Sequence, residues 1–283
     1  MPDPVIIRKP DGNAAPVVFD SPHSGNHYPD DFDYILPFDR MRWAEDPHVD
    51  EMFAAAPEAG ATLIAATFPR AYIDPNRAAT DIDPDQLDGE WPDPIDVSHR
   101  AKSGVGLIRN ASGRDKLPVY GRKLSVAEVR TRIDSFWTPY HDALRQSLDE
   151  AHAQAGAVWH VNCHSMSRFW PPVYQRAERR NTNDYTLGNR DGTTAGADFT
   201  EFVRGTLADF GFKVAVNDGQ KGVELVRAYS NPDANRHSLQ IEINQRLYWD
   251  GRTQEKTEGF DEQKTIMTAL IEAICGYARE NAP

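Results

Sequence analysis

Residues 157–165, AVWHVNCHS, decide the class of the fold. Successive side chains of an extended chain point to opposite faces, so period two puts His160, Asn162 and His164 on one side and Trp159, Val161 and Cys163 on the other. One face is apolar enough to bury. The other carries groups that cost free energy to bury unless they are paired. Ser238–Asn244 repeats the character: Leu239, Ile241 and Ile243 share a face opposite Gln240, Glu242 and Asn244. Strands of this kind, alternating with amphipathic stretches, predict an α/β layered fold.

Working outward, Val17-Val18-Phe19 predicts a short strand that enters the turn-rich segment Asp20–Gly25. Asp46 followed by Pro47 is a helix start, leading into VDEMFAAAPEAG. Residues 61–68 predict a buried strand that ends at Pro69-Arg70, and 78–118 is a long irregular stretch rich in Pro, Gly and Asp. Ser125 and Glu128 form a capping box for a helix running to about residue 155, with a kink expected at Pro139. A second loop, polar and Arg-rich, is expected over 167–195. It is followed by a helix over 197–209, a strand over 212–216, a loop through Asn235 and a terminal helix over 260–279. No internal repeat, low-complexity segment or linker interrupts the chain, which predicts one domain over residues 1–283.

Composition removes several function classes. The 283 residues are 40% hydrophobic and 26% charged, ordinary values for a globular protein. The 31 Lys and Arg against 43 Asp and Glu leave a net charge of −12, which argues against a nucleic-acid partner because phosphates are met with clustered cations. The one basic run, Arg176 to Arg180, reads as a solvated loop. No stretch reaches the roughly 20 apolar residues of a membrane span, and the amino terminus lacks a signal-peptide core. The expectation is a cytoplasmic enzyme of small metabolites, with secretion as the alternative. Cys163 and Cys275 are too few for a disulfide framework or a cysteine-rich zinc site, so any metal must be held by His and carboxylate.

Polar residues at strand ends carry the functional signal, because ligands of α/β sheets bind outside the carboxyl ends of the strands. His23 closes the first strand and His164 the strand 157–163; each could equally be a histidine satisfied by its turn or by a neighbouring loop. Cys163 and His164 face opposite ways, which weighs against a Cys–His nucleophile pair. Glu242 on its polar face is either the partner of a structural Arg or a general base near a metal-bound water. Asp46 and Asp50 share a helix face, Asp46 being also a complete N-cap in its own right. FPRAYIDPNR, residues 68–77, is the densest segment, with Arg70, Asp74, Asn76 and Arg77 just after a strand. Two Arg beside an Asn suit an anionic substrate. The alternative is an ion-pair network with Asp81, Asp83 or Asp85.

SPHSG at 21–25, EDPHVDEMF at 45–53, FPRAYIDPNR at 68–77, NCHSM at 162–166 and HSLQIEINQRLYWD at 237–250, in that order, resemble the N-formylglutamate amidohydrolase family. The resemblance spans about residues 16–250 and implies a zinc-carboxypeptidase-like fold, a mixed central sheet with helices on both faces. It implies hydrolysis of N-formyl-L-glutamate to formate and glutamate in histidine degradation. By the same resemblance His23, Asp46 and His164 hold one Zn2+, Asp50 being the substitute for Asp46, since the position three after His23 is Asn26 rather than a carboxylate. Arg70 polarises the scissile carbonyl, Glu242 is the base, Asn76 and Arg77 hold the substrate's α-carboxylate, and His237 either contacts the substrate or supports a residue that does. Iron or manganese fits the same donors. Another N-acyl amino acid or small peptide as substrate, and a non-catalytic amino-acid-binding or interaction module, remain the competing readings.

Overall fold

The computed structural model describes residues 2–113, 115–167 and 182–283. A seven-stranded sheet is built from β1 (Val5–Arg8), β2 (Val17–Ser21), β3 (Thr62–Ala66), β4 (Val158–Met166), β5 (Tyr185–Gly188), β6 (Val214–Val216) and β7 (Arg236–Asn244). Their spatial order is β1-β3-β2-β4-β7-β5-β6. β2 and β7 run parallel to β4, β6 runs parallel to β5, and β5 is antiparallel to β7. The sheet is therefore mixed, as expected. The Arg-rich run at 176–180 lies outside the described residues, but the other end of the expected loop is corrected: Tyr185–Gly188 is a buried strand. Four residues give too short an alternation to stand out beside polar neighbours.

By internal contacts the chain falls into two units, each assembled from separate stretches of sequence. One comprises Met1–Ile6, Pro22–Glu45 and Ala65–Ala143, the other Ile7–Ser21, Asp46–Ile64 and Leu144–Pro283. The second unit holds the main apolar core. Val17, Phe19, Trp159, Val161, Cys163, Leu239, Ile241 and Ile243 face the same buried cluster, so the alternation in the two polar-and-apolar strands is realised. Helices α1 (Val49–Met52), α2 (Ala56–Ala59), α5 (Ala197–Asp209) and α7 (Gly259–Asn281) cover that cluster. α7 contributes Met267, Leu270, Ile271, Ile274 and Ala278 at helical spacing, all fully buried. The expected helix after Asp46-Pro47 is two short ones, because Pro57 suits a first turn and not a helix interior. A further short helix, α6 (Glu224–Ala228), sits in the expected loop before β7.

The first unit is rich in loops and packs around Arg132. This guanidinium is buried, donates to the Tyr72 carbonyl at 3.1 Å and the Tyr120 hydroxyl at 2.6 Å, and lies 4.0 Å from the Tyr72 ring centroid. Its helix, α3 (Val126–Arg132), starts at the expected capping box between Ser125 and Glu128. A π-helical segment, Ile133–Trp137, joins it to α4 (Thr138–Ala155). The irregularity expected at Pro139 is thus a widened turn directly before it, which relieves the clash of a ring that has no N–H to give. Among the described residues no helix is long and apolar enough to cross a membrane.

Candidate functional site

In the first unit the charged residues gather around Asp74. β2 ends at Ser21, and the chain turns through Pro22 to place His23, fully buried, with Nε2 2.8 Å from Asp74 Oδ1. Arg70 Nη2 donates to Asp74 Oδ2 at 2.8 Å, the Asn76 backbone N–H donates to Oδ1 at 2.9 Å, and Arg77 Nη1 stands 3.8 Å from Oδ2. Burial alone would raise the Asp74 carboxyl, but Arg70, His23 and Arg77 hold it well below the usual carboxylate range. Burial pulls Arg77 the other way, down to about 10, against the support of Asp74. The expected alternative, an ion-pair network, is present with Asp74 as the main partner of the arginines, and Asp81 adds only a weaker electrostatic support to Arg77. Asp81 accepts instead from the Ser98 backbone N–H at 2.8 Å and hydroxyl at 2.9 Å.

The backbone of this segment is tightly framed. Arg77 Nη1 donates to its neighbour's carbonyl, Asn76 O, at 2.7 Å and Nε to Val105 O at 3.2 Å. Trp137 Nε1 donates to Arg77 O at 2.9 Å and stacks on His141 at 3.6 Å, and His141 Nε2 bonds Pro75 O at 2.8 Å. Gly25 closes the SPHSG turn where a Cβ would fall 2.3 Å from the Phe68 carbonyl oxygen and 2.5 Å from Thr67 C, so only hydrogen fits.

In the second unit the site residues stand in register across three strands. β7 places Ser238, Gln240 and Glu242 beside His160, Asn162 and His164 of β4, and β2 places Asp20 beside Asn162. The polar row is therefore paired, as its burial requires. His164 Nδ1 lies 2.8 Å from Asp46 Oδ2 and its Nε2 2.8 Å from Asn162 Oδ1. Asn162 Nδ2 donates to Asp20 Oδ1 at 2.9 Å. The same oxygen takes His160 Nε2 at 2.7 Å, whose Nδ1 is 2.6 Å from the Ser238 hydroxyl. Gln240 Nε2 donates to Glu242 Oε1 at 2.9 Å. Asp46 makes no N-cap: the helix after it is capped at His48, in a left-handed conformation and without a side-chain bond. Its carboxylate is directed at His164 instead.

His237 stands elsewhere. Five residues from Glu242 is an odd step along a strand and about 17 Å, so it sits on the opposite face, 5.7 Å from the Trp159 ring, with Nδ1 accepting from the Gly196 N–H at 3.1 Å. The expectation of a substrate contact at His237 is corrected accordingly: it holds the start of α5. Burial raises the Asp50 carboxyl. Among the described residues His23, Asp46 and His164 form a group whose atoms could hold a metal ion. The donor chemistry fits a divalent cation: two imidazoles and one carboxylate are the set of an open, catalytic-type zinc site. Each imidazole also has one nitrogen on an outer partner, Asp74 for His23 and Asn162 for His164, as metal-ligating histidines do.

The sequence reading missed Asp20, Asn162 and Gln240 as members of the site and gave Asp74 no role. Their signal was present only as polarity on strands whose neighbours the sequence does not reveal. Fold and site together define an α/β protein with buried imidazole–carboxylate pairs and an arginine cluster. Comparison with known proteins specifies it further.

The chain belongs to the N-formylglutamate amidohydrolase family, whose sequence model matches residues 15–249. It is similar to the N-formylglutamate deformylase of Pseudomonas putida, 25% identical over 276 residues and 94% of each chain. It is similar also to that of Pseudomonas aeruginosa, 23% identical over 94% of each. Among solved structures, N-formylglutamate amidohydrolase from Ralstonia eutropha JMP134 aligns with a TM-score of 0.94 at 43% identity, covering 99% of this chain and all of that one (100%). A gene product of Agrobacterium tumefaciens, 17% identical with a TM-score of 0.71 over 98% and 95% of the two chains, shares the fold.

Proposed function

We propose that this chain hydrolyses N-formyl-L-glutamate to formate and L-glutamate with one zinc ion held by His23, Asp46 and His164. The observation that carries the reading is that donor group, in a chain of this family. Bound there, zinc supplies a Lewis acid and brings the pKa of water to about 7. The chain's own residues do the rest. Glu242, its Oε1 fixed by the Gln240 amide, takes the proton of the attacking water and passes it to the departing amine as the C–N bond breaks. Arg70, held by Asp74, donates to the formyl oxygen as charge develops on it. Asn76 and Arg77 orient the α-carboxylate. Two guanidiniums against the single Asp74 carboxylate leave a positive surplus that suits a doubly charged substrate.

The same reading makes residues 1–283 one catalytic domain of zinc-carboxypeptidase-like architecture, acting in the cytoplasm in histidine degradation, on a small N-acyl amino acid. The test is formate release from N-formyl-L-glutamate by protein purified without chelator, beside chelated and zinc-restored samples. Turnover that disappears on chelation and returns with zinc is expected. Turnover indifferent to chelation would sink the metal, and turnover only with other N-acyl amino acids would sink the substrate.

A further inference from the structure

We infer that Asp20, acting through Asn162, fixes the orientation and tautomer of His164, so that Nε2 carries the proton and Nδ1 is the nitrogen given to the metal. The inference rests on the proposed metal role of His164 for its consequence, but its first part concerns the protein alone. Asp20, His160, Asn162 and Ser238 are all fully buried, so no water at the surface competes for their hydrogen bonds.

With Asp20 ionised and His164 neutral, the state in which an imidazole binds a metal, the chain of donors and acceptors has one consistent assignment. An ionised carboxylate only accepts. Asn162 must therefore turn its NH2 to Asp20 Oδ1, at 2.9 Å, because the flipped amide would set two oxygens against each other at that distance. Its carbonyl oxygen is then the atom 2.8 Å from His164 Nε2, and it too only accepts, so Nε2–H donates. His160 reinforces the origin of the chain: Nε2–H donates to the same Asp20 oxygen, and Nδ1 accepts from the Ser238 hydroxyl. Nδ1 of His164, with its lone pair, is left directed at Asp46 Oδ2, 2.8 Å away. Two acceptors face each other there, an arrangement that a shared cation makes favourable. Asp20 thus acts at a distance of two hydrogen bonds, as a positioning residue with no contact to the metal or substrate.

Two substitutions separate this from a merely structural role. Asp20→Asn makes the far end either donor or acceptor, so Asn162 can flip and offer NH2 to Nε2, moving the proton of His164 to Nδ1. Asn162→Asp keeps the pattern, because the new carboxyl beside Asp20 holds a proton, donates it to Asp20 and still presents an oxygen to His164. Zinc affinity is measured by competition with a chromophoric chelator, and the proton-bearing nitrogen of His164 by two-bond 1H–15N correlation NMR. D20N is expected to weaken zinc binding roughly 10–100-fold and to lose the Nε2–H form; N162D is expected to retain both near wild type. Wild-type zinc affinity and an unchanged tautomer in folded D20N would overturn the inference. If D20N does not fold, Asn162→Leu replaces it, with weakened zinc binding expected and unaltered binding decisive against. If the wild type itself takes up no zinc, the proposed function fails, while the wild-type spectrum still judges the inference: Nε2–H supports it and an Nδ1–H tautomer rejects it.

Discussion

Behind each of the two histidines stands a buried carboxylate, and the two are built differently. Asp74, behind His23, is surrounded by cations: Arg70 and Arg77 as well as the imidazole. Asp20, behind His164 through Asn162, is met by an amide and an imidazole. The first arrangement is electrostatic. It keeps a carboxylate ionised inside the protein and holds two guanidiniums in place with positive charge to spare. The second is directional, and its effect is carried by which atom donates to which. A buried carboxylate can thus serve as a counter-charge or as a reference point for proton positions, and the chemistry of its neighbours decides which.

The largest effect is expected at Glu242, the strand neighbour of His164. Glu242→Gln should lower kcat by about 10²–10⁴-fold with zinc retained; loss of zinc together with turnover would show that Glu242 helps hold the centre. Next, Asp74→Ala leaves the buried Arg77 and the half-buried Arg70 without their counter-charge and should cost about 3–5 kcal/mol of unfolding free energy in urea. A loss under about 1 kcal/mol would mean that the arginines relax into solvent and that the cluster is no strut. Arg77→Lys keeps the charge and loses the fork, so it should raise KM roughly tenfold with kcat little changed. An unchanged KM would remove Arg77 from the substrate clamp.

The smallest effect is the pH dependence that the cationic cluster implies. The native pKa of Asp74 lies below its unfolded value of about 3.9, so the unfolded state binds the proton more readily. Its contribution to stability is complete above that unfolded value and is lost as pH falls through the native one. The stability gap between wild type and Asp74→Ala should therefore narrow on acidification below about pH 4. A gap constant with pH would put the stabilisation in packing rather than charge.

How much of this the sequence discloses follows from the range of the interactions. The faces of 157–165 and 238–244 depend only on adjacent residues, and the structure keeps them. The capping box at Ser125 is equally local. Asp46 next to Pro47 carried a competing local explanation as an N-cap, and only a partner 118 residues away, His164, shows where its carboxylate goes. Asp20 and His160 are 140 residues apart, and nothing in either neighbourhood announces the other. His237 had proximity in sequence to Glu242, but an odd number of residues along a strand turns a neighbour into an occupant of the other face.

The close approach at Gly25 limits how this enzyme family member can vary. Three backbone atoms of Thr67 and Phe68 would lie within 2.6 Å of a Cβ there, and none can rotate aside as a side-chain tip would. The turn that follows His23 and the chain that leads to Arg70 are consequently meshed like two cog teeth. A library that diversifies the loop around residues 23–27 has one position it must leave untouched, and a shift of either segment is transmitted to the other with no slack to absorb it.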